Sequence, residues 1–225
     1  MKPYFQEDGI TIYHGDCREV LPSIGEVDTV LTDPVWPNSS PELIGNERPG
    51  PLMAEMCHVL PRTKRLIVHL GCDSDPRFLS AVPEFFPFLR LCWLRYACPT
   101  RKGRCLYGAD VAHVFGEYPK SQPGRRVISG EYCSTRADAR RVILTKHKEW
   151  GKAVPGEHPT PRRLQHLRWL VAKWAEGPIL DPFAGSGTTL LAAKMNGLTG
   201  IGIEIEEKYC EIAAKRLAQK VLAFP

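Results

Sequence analysis

The 225-residue chain reads as an α/β protein. Short apolar runs bounded by Gly, Pro, Asn or Asp alternate with stretches of helical periodicity, the pattern of strands joined by crossover helices. The length suits one or two domains and can bury a sizeable core. Hydrophobic residues make up 43% and charged residues 24%, which sets aside disordered, collagenous and coiled-coil classes.

The N-terminal part predicts a strand over 9–13, a loop at His14-Gly15-Asp16-Cys17, a short helix over 18–24 and a buried strand over 27–32. Residues 33–51 carry Pro34, Pro37, Pro41, Gly45, Pro49, Gly50 and Pro51, too many breakers for a regular element. A helix over 52–60, a strand over 65–70 and a helix over 75–84 follow. Strands are expected over 89–97 and 111–115. Residues 118–148 have weak periodicity and eight Lys or Arg, and are read as an irregular insertion. A helix over 161–175 has Pro161 at its start and Leu164, Leu167, Leu170, Val171 and Trp174 on one side. Then come a strand over 178–180, a glycine loop, a helix over 188–196 stopped at Gly197, a strand over 198–203 and a helix over 206–222. His69 and His113, in apolar strands, are read as satisfied core histidines.

No apolar run approaches the ~18 residues a membrane helix needs. Residues 1–10 hold one Lys, two acids and no apolar core, so no signal peptide is expected. Eight cysteines form no C-x-x-C pair. They are read as reduced thiols of a cytoplasmic protein, with no metal site. The net charge of +5 is unevenly spread. Residues 95–173 hold 17 Lys or Arg against 6 Asp or Glu, whereas the rest holds 13 against 19. A basic segment in an otherwise acidic chain suits a polyanionic partner or a solvated face.

The segment Ile179-Leu180-Asp181-Pro182-Phe183-Ala184-Gly185-Ser186-Gly187-Thr188-Thr189 is a strand, a tight glycine turn and a helix start. Glycines allow close backbone approach, and a helix N-terminus offers free N–H groups to an anion. Glu204, 23 residues after Asp181 and at the end of the next strand, can accept both hydroxyls of a ribose. The spacing is neither the dinucleotide fingerprint nor a phosphate-binding P-loop.

These residues resemble the S-adenosylmethionine motif of the amino-methylating DNA methyltransferases. Thr32-Asp33-Pro34-Val35-Trp36 resembles the family's catalytic Asp-Pro-Pro-Tyr tetrad, with Val35 in place of the second proline. Glu157-His158-Pro159-Thr160 resembles the motif upstream of the glycine loop, with Arg162 where the family often has Lys. His14-Gly15-Asp16-Cys17 resembles the turn that reaches the cofactor adenine. The catalytic motif precedes the cofactor motif, which is the permuted order of the beta group. The match covers roughly 1–75 and 155–215.

The resemblance implies a Rossmann-like S-adenosylmethionine-dependent methyltransferase fold, with a mostly parallel seven-stranded-type sheet and helices on both faces. It implies one domain over 1–225 with a small basic target-recognition insertion at about 118–150. The implied activity is methyl transfer to the exocyclic amino group of a base flipped out of double-stranded DNA. Asp at the tetrad's first position favours adenine-N6. Cytosine-N4, and a catalytically weak DNA-binding subunit, are the alternatives. The implied catalytic residues are Asp33, Pro34 and Trp36. Cofactor binding would fall to Asp16, Cys17, His158, Pro159, Thr160, Asp181, Phe183, Ala184, Gly185, Ser186, Gly187, Thr188 and Glu204. Arg101, Lys102, Arg104, Arg125, Arg126, Arg136, Arg140 and Arg141 are candidates for DNA contacts. Family members often dimerise, so a homodimer is possible.

Overall fold

The computed structural model describes residues 2–37, 39, 41–71, 73–102, 104–120, 130–134 and 162–219. In chain order the strands are β1 (Phe5–Glu7), β2 (Ile10–His14), β3 (Thr29–Thr32), β4 (Arg65–Gly71), β5 (Phe88–Lys102), β6 (Cys105–Gly116), β7 (Glu131–Cys133), β8 (Ile179–Asp181) and β9 (Gly200–Glu204). The helices are α1 (Cys17–Val20), α2 (Pro49–His58), α3 (Leu164–Trp174), α4 (Thr188–Met195) and α5 (Glu207–Leu217).

The strands form one sheet in the order β1-β2-β9-β8-β3-β4-β6-β5-β7. Its centre, β2 through β4, is parallel throughout. β1, and β6 against both its neighbours, are antiparallel, so the sheet is mostly parallel with antiparallel flanks. Among the described residues nine strands are present, because β1 and β7 add three-residue edges to the seven-stranded type. Such short pieces leave no periodicity to read.

The central strands are apolar on both sides, as parallel strands covered on two faces must be. All of β3 and β4 is buried. Alternation splits their side chains between two cores. Leu31, Ile67 and Ile179 pack with Leu170, Leu190 and Ala213 of α3, α4 and α5. Val30, Leu66, Val68 and Leu180 pack with Val20 of α1 and Met53 of α2.

Several boundaries moved for physical reasons. α2 starts at Pro49, inside the proline-rich stretch, because the first helical turn needs no N–H from proline. The helix expected over 75–84 is a 3-10 helix, Pro76–Ala81, capped by Asp75 accepting from Arg77 N at 3.0 Å. The two strands expected in the middle are longer and form one hairpin, β5–β6. The final helix ends at Leu217. Of the expected insertion, 121–129 and 135–150 lie outside the described residues, as do 151–161 beyond it.

At the amino-terminal edge of the sheet, Arg65 is 1% exposed. Its guanidinium bonds Asp28 Oδ2 at 2.5 Å, Glu176 Oε2 at 2.6 Å, the Glu117 carbonyl at 2.9 Å and Thr29 Oγ1 at 3.2 Å. This ion cluster ties β4 to the entry of β3 and the exit of α3. Removing one partner of a buried ion pair strands the other charge. Arg65→Met should therefore cost about 3–5 kcal/mol of stability, read from the urea unfolding midpoint.

Candidate active site

Chain progression reverses in the sheet between β8 and β3. β8 leads leftward to β9, whereas β3 leads rightward to β4. Ligands in open α/β sheets bind at the carboxyl ends of the strands at such a switch point. β3 and β8 pair in parallel, Val30 opposite Leu180. Asp33, just beyond β3, and Asp181, the last residue of β8, therefore face one crevice although they are far apart in sequence.

The crevice is lined by Asp16, Cys17, Asp33, Pro34, Val35, Trp36, Arg162, Asp181, Phe183, Ala184, Gly185, Ser186, Thr188 and Glu204, among others. The structure thus brings together most of the residues named from sequence. Gly187 does not line the crevice; it shapes the turn. Its φ is +76°, and a Cβ there would lie 2.9 Å from Ala213 Cβ on α5. Arg216 of α5 braces the same turn, donating to Ser186 Oγ at 2.9 Å and Thr188 Oγ1 at 3.2 Å.

Glu204 ends β9 and is 8% exposed. It accepts from Gly185 N and Glu206 N, each at 2.8 Å. Burial raises its carboxyl above the usual range, against these bonds. Burial also pushes the Asp181 carboxyl up to about 7, while hydrogen bonds from Thr189 and the Phe183 N–H pull the other way. Asp16 caps α1 by accepting from Arg18 N at 2.9 Å and pairs with the Arg18 guanidinium, which holds its carboxyl low. The Cys17 thiol is pushed up to about 12 by burial, so it stays a neutral thiol.

Asp33 is held by Arg162. Nε and Nη2 donate to the two carboxylate oxygens at 2.7 Å each, the bidentate geometry that Lys cannot offer. The Arg162 side chain is 11% exposed and lies 4.5 Å from the centroid of the Trp36 ring. Its Nη1 also reaches Asp110 Oδ1 of β6 at 3.2 Å. Burial raises the Asp33 carboxyl, and Arg162 opposes that rise. Asp110 is held well below the usual range: burial opposes its ionisation, but His166, His69 and Arg162 outweigh it.

Other residues were not singled out from sequence. Leu43, Ile44, Arg48 and Leu52, from the proline-rich stretch and the start of α2, and Tyr209 of α5 also line the crevice. No local motif marks them. His69 is buried, but neither ring nitrogen has a hydrogen-bond partner, and His113 Nδ1 also lacks one. They are core histidines, but not satisfied ones. β6 passes Gly71, the end of β4, at Asp110. The β5–β6 hairpin therefore projects beyond the carboxyl edge by five residues, roughly 16 Å of strand. Arg101 and Arg104 lie exposed near its tip. The Lys102 side chain, His158, Pro159, Thr160, Arg125, Arg126, Arg136, Arg140 and Arg141 lie outside the described residues.

Comparison with known proteins bears directly on this crevice. The sequence model of the N6/N4 group described as "DNA methylase" matches residues 125–215. The chain is 56% identical to the type II methyltransferase M.ScaI of Streptomyces caespitosus, over 96% of this chain and 84% of that protein. The chain belongs to the N6/N4 DNA methyltransferase family.

It is also 25% identical to the putative methylase YubD of Escherichia coli, over 91% of this chain and 88% of that one. Two solved structures share the fold. M1.HpyAVI bound to S-adenosylmethionine aligns at a TM-score of 0.65 with 22% identity, covering 93% of this chain and all of that one. The PvuII DNA methyltransferase, cytosine-N4-specific, aligns at 0.69 with 15% identity, covering 99% of this chain and 91% of that one. The chain is an S-adenosylmethionine-dependent DNA amino-methyltransferase with the Rossmann-like methyltransferase fold, and DNA is its substrate.

The donor set of the crevice fits that cofactor. Carboxylates at Asp16, Asp181 and Glu204 suit its amino, cationic and diol groups, and the turn before α4 suits its carboxylate. Gly187→Ala should destabilise the protein by roughly 1–3 kcal/mol through backbone strain and weaken cofactor affinity, because the turn must move off α5. Gly197 has a similar φ of +71° with open space around it. Gly197→Ala should show the strain alone, with cofactor affinity retained. Thermal unfolding and cofactor titration of both variants check this.

Proposed function

We propose that the enzyme methylates adenine at N6, with Asp33, Pro34 and Trp36 as catalytic residues. The observation that carries the reading is the place of Asp33: directly after the buried strand β3, ionically held, and in the same crevice as Asp181 and Glu204. An Asp at this position of the tetrad favours adenine. The fold likeness to a cytosine-N4-specific enzyme keeps cytosine-N4 as the second reading; the chemistry of the chain is the same for either base.

An exocyclic amino nitrogen is a poor nucleophile, because its lone pair is delocalised into the ring. Asp33 and the Pro34 carbonyl would accept its two hydrogens and draw it towards tetrahedral geometry. Positive charge then develops on that nitrogen, which a fixed carboxylate stabilises. Each Asp33 oxygen receives one bond from Arg162 and keeps a lone pair for the amino group. Arg162 therefore orients the carboxylate and favours its ionised form. The cofactor supplies a methyl group on a sulfonium. Trp36, 7% exposed in the core with Arg162 over its ring, would meet the flipped base only through the part of the ring that lines the crevice. Val35 keeps the Asp33 carboxylate and the Pro34 carbonyl but removes one fixed φ and restores an N–H, which loosens the loop that presents them. Asp16, Cys17, Asp181, Phe183, Ala184, Gly185, Ser186, Thr188 and Glu204 would hold the cofactor, together with His158, Pro159 and Thr160. Arg101 and Arg104, beyond the carboxyl edge, would meet the DNA backbone.

The test is methyl transfer from labelled S-adenosylmethionine to unmethylated DNA, followed by nucleoside analysis. Label in N6-methyladenine, lost in Asp33→Ala while cofactor binding persists, is the expected result. Label in N4-methylcytosine would overturn the base assignment, and full activity in Asp33→Ala would overturn the catalytic one.

Asp181 gives a pH prediction. Only its ionised form attracts the cationic cofactor, and that form is populated above about pH 7. Cofactor affinity should rise from pH 6 to pH 8, by roughly tenfold if ionisation governs binding, and level off above. Asp181→Asn should bind more weakly at pH 8 and lack the rise. Calorimetric titration across the range checks both.

A further inference from the structure

Behind the Arg162–Asp33 pair lies a second cluster that methyl transfer does not use. Asp110 of β6 is 1% exposed, while His69 of β4 and His166 of α3 are wholly buried. Asp110 divides its two oxygens. Oδ1 accepts from Arg162 Nη1 at 3.2 Å and the Tyr107 hydroxyl at 3.3 Å. Oδ2 faces His69 Nε2 at 3.7 Å and His166 Nδ1 at 3.6 Å. Those distances are too long for hydrogen bonds, and no ring nitrogen of either histidine has a hydrogen-bond partner. Buried polar atoms are seldom left so.

The spacing fits a metal ion. One ligand atom from each residue lies within 4.8 Å of the others. Taking Asp110 Oδ2, His69 Nε2 and His166 Nδ1 as those atoms, two of the separations are 3.7 and 3.6 Å, and the nearest point equidistant from all three lies about 2.4 Å or less from each. Zinc bonds imidazole nitrogen and carboxylate oxygen at about 2.0–2.2 Å, so closure by a few tenths of an ångström completes the bonds. Asp110 supplies one anionic ligand and the two imidazoles supply nitrogen ligands, a donor set that suits zinc. The bond from Arg162 to the other oxygen of Asp110 is the kind of outer-shell contact that orients a carboxylate ligand.

We propose that His69, Asp110 and His166 form a binding site for one divalent transition-metal ion of the zinc class. The ion fixes Asp110, Asp110 fixes Arg162, and Arg162 fixes Asp33, so its role is structural support for the catalytic carboxylate. Three protein ligands leave the coordination sphere open to water.

Two measurements test the site on the full chain, produced without a histidine tag. Elemental analysis of protein purified without chelator should give close to one equivalent of zinc. Chelator treatment should remove it and lower Tm. Titrating the stripped protein with Co2+ should then give visible ligand-field bands saturating at one equivalent. Those bands should lack thiolate charge transfer, which separates this site from the exposed Cys98, Cys105 and Cys133. His69→Gln/His166→Gln should lose the bands. If that variant does not fold, the wild-type titration decides alone. A stripped wild-type protein that keeps its Tm and gives no ligand-field bands, while still binding S-adenosylmethionine, would overturn the site without touching the methyltransferase reading.

Discussion

Arg162 carries a charge it cannot lose in a place where water barely reaches it. An unpaired buried cation would shift the whole folding equilibrium, so its surroundings must supply anions at fixed positions. Two segments do so: β3 delivers Asp33 at its carboxyl end and β6 delivers Asp110, while the loop after β3 lays the Trp36 ring against the guanidinium. Asp33, Asp110 and Arg162 are remote in sequence, and α3, which begins two residues after Arg162, packs on the opposite core from Trp36. The ion chain therefore pins the two layers together at the carboxyl edge. It also fixes the orientation of the carboxylate proposed for catalysis, because a bidentate pair leaves little torsional freedom.

The permuted order of the motifs has no cost in this geometry. The crevice requires two adjacent parallel strands whose carboxyl ends diverge to opposite sides. It does not matter which strand comes first in the chain. β3 and β8 satisfy that requirement through the pairs Thr29–Ile179 and Val30–Leu180 alone. The glycine turn after β8 then faces Glu204 on β9, and Gly185 N bonds its carboxylate. Asp33 comes from the first half of the chain and the glycine turn from the second, yet one switch point joins them.

What the sequence made legible follows from how local each signal is. β8, the turn and α4 could be read because glycine spacing, the strand run and the helix start lie within eleven residues. β3 could be read from its apolar run and the Asp-Pro that ends it. The crevice walls from Leu43 to Leu52 could not, because prolines and glycines there mask a helix that begins on a proline. The length of the β5–β6 hairpin was invisible because its outer half, 98–107, is largely polar in sequence and shows no apolar alternation. His69 reads as an ordinary core position, and His166 carries no signal of its own within its helix. Only the register of β4 with β6, and the packing of α3 above them, brings both rings to one oxygen of Asp110.

The two edges of the sheet hold ion clusters of the same make-up, two carboxylates and one arginine, and their difference is informative. At the amino edge all three nitrogens of the Arg65 guanidinium donate, and Lys64 adds a second cation 3.4 Å from Asp28. That cluster is neutral overall and serves stability. At the carboxyl edge, among the described residues, no lysine or second arginine pairs with Asp33 or Asp110. Arg162 is their shared cation. Under the proposed mechanism, positive charge appears on the attacking nitrogen only as the methyl transfers, and a carboxylate already fixed by Arg162 would stabilise it there without having to reorient.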